Sequence, residues 1–192
     1  MNLTFAPLSP DRWSDLEKVF ASKGCSFARN CWCMEYRLGG KRPALVTKEA
    51  RPGENRKALK ALVDNGHAPG LLAYHGTTPV GWVSLAPREE YARLKRSPVM
   101  KAIDDQPVWS IICFVVPSEF RGKGVATFLL RAAMAYAKAH GAEVVEAYPI
   151  DKSNRSNDGF MWFGAKSMYD KAGFIEAARP RPERPVVRLK IG

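Results

Sequence analysis

The segment Phe120-Arg121-Gly122-Lys123-Gly124-Val125-Ala126 has the residue types and spacing of an anion cradle. Glycines at 122 and 124 permit positive φ and a close approach of backbone to ligand. If a helix starts just after them, its first amides have no intrahelical acceptor and face whatever lies in front. Arg121 and Lys123 add cationic donors suited to phosphate oxygens. The occupant this implies is a phosphorylated cofactor. Two familiar glycine loops are excluded. Val125 and Ala126 stand where a triphosphate loop needs Lys and Ser or Thr. Nor is there a Gly-x-Gly-x-x-Gly with an acidic ribose ligand ~20 residues on.

Such a cradle works only between a strand and a helix. Val108 to Val116 is the most apolar run of the chain and predicts a central strand. After the loop, Val125, Phe128, Leu129, Ala132, Ala133 and Tyr136 recur at i, i+3, i+4, the buried face of a helix that Gly141 ends. Glu143 to Tyr148 predicts the next strand, parallel to the central one through a right-handed crossover. Upstream, Asn2 to Leu8 alternates as a first strand, and Ser9-Pro10-Asp11 starts a helix with the stripe Trp13, Leu16, Val19, Phe20. Residues 25–46 read as irregular or partly helical, and Glu54 to Asp64 as a helix. Gly70 to Tyr74 and Val80 to Ala86 form a hairpin, with Gly81 marking a bulge. Arg88 to Arg96 is short and charged, Pro98 to Pro107 a connecting loop, and Pro149 to Gly159 a polar loop. Phe160 to Phe163 leads into a late helix, and Phe174 to Ala178 and Pro185 to Ile191 finish as strands.

Arg121, Gly124 and Ala126 form Arg-x-x-Gly-x-Ala, which resembles the acyl-CoA pyrophosphate signature of the GNAT superfamily of N-acetyltransferases. Ala165, Tyr169, Lys171, Gly173 and Phe174 resemble the same family's late helix and strand start. One departure is Trp162, where the family often has an Asn that helps hold the pantetheine arm. The resemblance spans about residues 70–178 and covers the first ~65 residues poorly. It implies an α/β fold: a mixed, mostly antiparallel sheet of about six or seven strands, with a parallel pair splayed at the cofactor site and helices around it. A single domain, 1–192, is expected, with an acceptor-side part over 1–66 and a cofactor-binding core over 67–192.

The resemblance also implies roles. Acetyl-CoA is the co-substrate, its pyrophosphate held by Arg121, Gly122, Lys123, Gly124, Val125 and Ala126, with the Thr127 hydroxyl beside them. Free amides of Phe114, Val115 and Val116 bind pantetheine and face the acetyl oxygen, where one backbone donor is worth ~3 kcal/mol. Tyr169 is the general acid for the leaving thiolate. The reaction is acetyl transfer to the amine of a small-molecule acceptor by direct attack in a ternary complex. Readings kept beside it are a noncatalytic CoA sensor or basic nucleic-acid-binding module on the same fold, and acetylation of a protein amine.

The acceptor side is less legible. Cys31-Trp32-Cys33-Met34-Glu35-Tyr36-Arg37 is rich in sulfur and aromatic rings. It reads either as a wall of the acceptor pocket or as a hydrophobic plug under a loop. The pocket reading names Trp32, Cys33, Glu35, Trp109 and Glu146 as acceptor contacts, with Trp162 as a further aromatic wall. Glu146, Asp151 and Glu35 are the candidates for general base. His67, His75 and His140 are less suited by position.

Composition sets outer bounds. A chain of 192 residues with 46% hydrophobic and 26% charged residues suits one globular domain. The net charge of +11 suits a polyanionic ligand. No run of five like charges and no basic strand interleaved with aromatics appears, which disfavours nucleic acid. No apolar stretch nears the ~20 residues of a membrane span and the N-terminus does not read as a signal peptide, so a cytoplasmic protein without a membrane partner is expected. Cys25, Cys31, Cys33 and Cys113 lack paired zinc-ligand spacing, so no metal is expected. A homodimer is left open.

Overall fold

The structure, a computed structural model, describes residues 1–39, 47–152 and 161–192. The expectations for residues 40–46, for most of the polar loop before Gly159 and for Phe160 lie outside the described residues.

Seven strands form one sheet in the order β1-β2-β3-β4-β5-β7-β6. They are β1 (Thr4–Pro7), β2 (Gly70–His75), β3 (Thr78–Pro87), β4 (Trp109–Val115), β5 (Val144–Ala147), β6 (Ile175–Arg181) and β7 (Arg184–Lys190). Every neighbouring pair is antiparallel except β4 with β5. The helices are α1 (Trp13–Ala21), α2 (Ser26–Cys31), α3 (Glu35–Leu38), α4 (Arg51–Asp64), α5 (Val125–Ala139) and α6 (Lys166–Asp170). The α/β class, the mostly antiparallel sheet and its single parallel pair are as the sequence predicts. Ser9 differs from expectation. Its hydroxyl accepts from Arg12 Nη1 at 2.7 Å, and a 3-10 turn over Pro10–Arg12 precedes α1.

Two apolar cores lie on opposite faces of the sheet. One holds Leu71, Val83, Ile111, Phe114, Leu129, Ala133, Val145, Tyr169 and Val187 under α5 and α6. The other holds Trp13, Leu16, Phe20, Trp32, Trp82, Tyr91, Ile112, Cys113, Tyr148 and Phe163 under α1 and its neighbours. Gly81 lets α5 press onto β3, since a Cβ there would meet Val125 Cγ1 at 2.8 Å.

The parallel pair is short. Trp109, Ser110 and Ile111 face Val145, Glu146 and Ala147, and there the ladder stops. Two causes act together. On the β3 side, Leu85 faces Ile111 while Ser84 faces Cys113, so Ile112 is the extra residue of a bulge, and a bulged strand bends. On the β5 side, Pro149 has no N–H to continue a ladder. The strands part, and residues 161–165 bridge the gap. Phe114 N–H donates to Trp162 O at 2.7 Å, and Ile150 N–H to Gly164 O at 3.0 Å.

Candidate active site

A cleft of about 610 Å³ opens where β4 and β5 part. Its described lining includes Phe27 from α2, Phe114 and Val116, the loop residues Phe120 to Gly122 and Gly124 to Thr127, Ile150 and Lys152, and Met161, Trp162 and Gly164. Gly122 and Gly124 adopt φ of +72° and +83°, and Gly124 stands at the N-cap of α5. A Cβ on either would meet nothing within 4 Å, so it is backbone conformation that calls for glycine here. The first backbone amide to find a helical carbonyl is that of Phe128, bonded to Gly124 O at 2.9 Å. Among the described residues, the N–H groups from Gly122 to Thr127 make no backbone hydrogen bond. Unpaired amides at the positive end of a 15-residue helix are electrostatically suited to an anion.

Other expected contacts fall differently. Arg121 lines the cleft, but its Nε donates to Val116 O at 3.0 Å and its Nη2 to Gly24 O at 2.7 Å. The guanidinium thus fastens the turn before α2 to the loop, rather than turning wholly to a ligand. Lys123 lies 5.8 Å from the Phe120 ring centre. Of the amides expected to be free on β4, that of Phe114 is taken by Trp162 O. Successive amides on a strand point to opposite sides, so that of Val115 turns to β3. Val116 N–H remains, with no backbone partner among the described residues.

Tyr169 is not where a thiolate acid would stand. It is fully buried, and its hydroxyl donates to Phe163 O at 2.8 Å. Burial drives its phenol far above the usual tyrosine range, which weakens it as an acid. Its neighbour Met168, not Tyr169, lines the cleft.

The acceptor contacts expected from sequence do not converge either. Trp32 stacks on Trp13, ring centres 5.8 Å apart, inside the core. Cys33 is buried and accepts from Trp82 Nε1 at 3.3 Å. The Cys/Trp segment is therefore the hydrophobic plug. Its turn is strained, with φ of +47° at Trp32 and +53° at Cys33. Trp109 packs edge-on to Tyr136 of α5, on the opposite face. Glu146 is buried and bonded to Arg88 at 2.9 Å, to Arg188 at 2.7 Å and to the Tyr148 hydroxyl. Asp151 pairs with Arg179 at 2.8 Å, and Glu35 lies 3.6 Å from Arg93. Each candidate base is thus held by an arginine. Among the described residues, no group of three or more His, Cys, Asp or Glu side chains could hold a metal ion. Phe27, Ile150, Lys152 and Met161 line the cleft without having been singled out by sequence. Only the apolar character of Met161 and Ile150 offered a signal.

The model of the acetyltransferase (GNAT) family matches residues 40–174. The chain belongs to the GNAT acetyltransferase family. Solved structures agree at the level of fold. Arylalkylamine N-acetyltransferase 2 from Aedes aegypti superposes with a TM-score of 0.60 at 14% identity, covering 100% of both chains. The PaiA N-acetyltransferase from Thermoplasma acidophilum, in complex with coenzyme A, gives 0.53 at 19% identity over 99% of both. An N-acetyltransferase from Staphylococcus aureus Mu50 gives 0.55 at 14% over 100% of both. No curated protein matches the chain by sequence. Within this GNAT frame, the loop from Arg121 to Thr127 sits at the start of α5, and the parted ends of β4 and β5 form the adjoining slot. No described helix is long and apolar enough to cross a membrane.

Proposed function

We propose that this GNAT protein transfers the acetyl group of acetyl-CoA to the amine of a small molecule, both substrates being bound together. The observation that carries the reading is the row of unpartnered amides from Gly122 to Thr127, facing a cleft that runs on to the parted end of β4. Acetyl-CoA supplies the activated thioester, and the residues present fit its parts. The loop amides and the positive end of α5 suit a diphosphate, with Lys152 on the cleft wall and Lys123 of the same loop adding charge nearby. Phe27, Phe120, Ile150, Met161 and Trp162 suit the apolar arm and exclude water from it. Val116 N–H is a backbone donor on the β4 side. Phe114 N–H joins it only if the Trp162 carbonyl gives way.

In this reading Tyr169 is a positioning residue: its hydroxyl holds the Phe163 peptide, and with it the bridge across the β4–β5 gap. The amine's proton passes to water rather than to a carboxylate, since Glu35, Glu146 and Asp151 are each paired. A small-molecule acceptor draws support from the Aedes aegypti protein, named for arylalkylamines, and acetyl-CoA from the coenzyme A of the Thermoplasma acidophilum complex. A cytoplasmic setting suits the free thiols of Cys25, Cys31, Cys33 and Cys113. The test is thermal stabilisation by acetyl-CoA, followed by thiol release with a panel of amines. Salt-sensitive nucleic-acid binding with neither cofactor binding nor turnover would overturn the reading.

A further inference from the structure

Arg184 opens β7 on the sheet face that carries α1, among arginines that are paired with carboxylates. Arg37 holds Glu90, Arg88 holds Glu146, Arg93 lies by Glu35, and Arg188 holds both Glu146 and Asp104. Arg184 has no carboxylate among the described residues. Its Nη2 lies 3.9 Å from the Met100 sulfur, and its Nε is buried without a partner. The guanidinium lies over the Phe163 ring, 4.5 Å from its centre. The carboxylates nearest in the chain are engaged elsewhere, Glu183 with Lys152 at 3.2 Å and Asp151 with Arg179 at 2.8 Å. Burial lowers the Arg184 pKa. Of the charged and titratable groups around it, the Tyr36 hydroxyl opposes that shift and Arg181 adds to it.

Tyr36 faces the same place. Its ring stands edge-on to Phe163 at 5.7 Å, and its hydroxyl makes no hydrogen bond among the described residues. Burial raises its pKa, so at neutral pH it remains a donor. Two donors, one a full cation, thus flank one aromatic ring with no oxygen acceptor among the described residues. Half-burying a charge without a counter-ion is unfavourable, which marks the place as a candidate for an anion supplied from outside. The planar guanidinium, whose Nη2 meets only the weak acceptor of the Met100 sulfur among the described residues, has the geometry to match the two oxygens of a carboxylate.

We infer that Arg184 and Tyr36 recognise a carboxylate on the acceptor, so that the substrate class is amines bearing a carboxylate, amino acids and their relatives. This rests on the acetyl-transfer reading above. The placement supports it: Phe163 lies between Trp162 and Gly164, which line the cleft, and Trp162 O is bonded to Phe114 of β4. The cation is therefore one aromatic ring away from the slot, and an acid seated on it has the edge of Phe163 to pass before its amine meets the thioester.

The test uses purified protein, acetyl-CoA and the common amino acids beside their α-carboxamides, read by thiol release. The wild type should favour acids over amides by about tenfold or more in kcat/KM. Arg184→Met should bring that ratio close to one through KM for the acids, while KM for acetyl-CoA holds. Arg184→Lys should restore part of the preference, and Tyr36→Phe should lower it about threefold. Amides used as well as acids by the wild type, or both series falling alike in Arg184→Met, would overturn the inference. Should Arg184→Met not fold, Arg184→Lys and Tyr36→Phe carry the same comparison. If acetyl-CoA binds but no amine releases thiol, the acetyl-transfer reading itself fails. Calorimetry with N-acetyl amino acids and their amides then tests Arg184 alone: a preference for the acids that Arg184→Lys weakens supports the carboxylate site, and equal binding refutes it.

Discussion

The two sides of the cleft differ in what their polar groups do. On the α5 side the donors are backbone amides, from Gly122 to Thr127, that have no backbone partner among the described residues. On the β5 side, behind the residues that line the cleft, the polar groups satisfy one another: Glu146 with Arg88 and Arg188, Arg188 with Asp104, and the hydroxyls of Tyr148 and Ser110 at 3.0 Å. One side is built to receive charge from outside, and the other has neutralised its own. The difference teaches that a charged residue beside a cleft says little until its partners are known, whereas an uncapped helix start declares itself. Arg184 departs from that pattern among the described residues, and it is informative because its neighbours are paired.

The contrast is easiest to break at the loop. Gly124→Glu adds a carboxylate at φ +83°, where the chain has room but a side chain is strained by about 1–2 kcal/mol. Affinity for CoA should fall by about 100-fold or more while the far-ultraviolet spectrum stays native. Unchanged affinity in calorimetry would remove the diphosphate from this loop. The matching change across the cleft is Glu146→Gln, which leaves Arg88 and Arg188 short of a buried counter-ion. A loss of about 3 kcal/mol in denaturant unfolding is expected. Lost turnover at full stability would instead make Glu146 the base.

Tyr169→Phe separates a positioning role from an acidic one. Removing the bond to Phe163 O should cost about 1 kcal/mol of stability and lower kcat by less than about tenfold, with no alkaline limb lost from the pH–rate profile. A larger fall in kcat that takes that limb with it would restore the phenol as proton donor. The smallest effect belongs to Lys123→Ala, about a threefold rise in the CoA Kd that shrinks in high salt. If Lys123 mattered more than Gly124, side-chain charge rather than backbone amides would be the anchor.

How much was legible follows the same division. The strand, the glycine turn and the helix were readable because each depends on neighbours in sequence: Val108 to Val116 is apolar, Gly122 and Gly124 permit positive φ, and the α5 stripe repeats with the helical period. The stripe of α1 was equally plain, since Trp13, Leu16, Val19 and Phe20 are all buried. Errors gathered where a side chain's role depends on something distant. Arg88 meets Glu146 across 58 positions, and Arg121 meets Gly24 across 97. Trp109 packs on Tyr136 rather than on an acceptor, since strand alternation fixes two faces without saying which face holds the site.

By itself, then, the sequence determined the family, the cradle and the order of the elements that present it, because helix starts, turns and amphipathic faces are short-range properties of the chain. Tertiary structure alone decided which donors stay free. It turned Arg121 onto backbone carbonyls, closed the Phe114 amide with Trp162, buried the Tyr169 hydroxyl against Phe163 and left Arg184 without a carboxylate among the described residues. A hydrogen-bonding group is available only when no nearer partner satisfies it, and partners are assigned by packing in three dimensions.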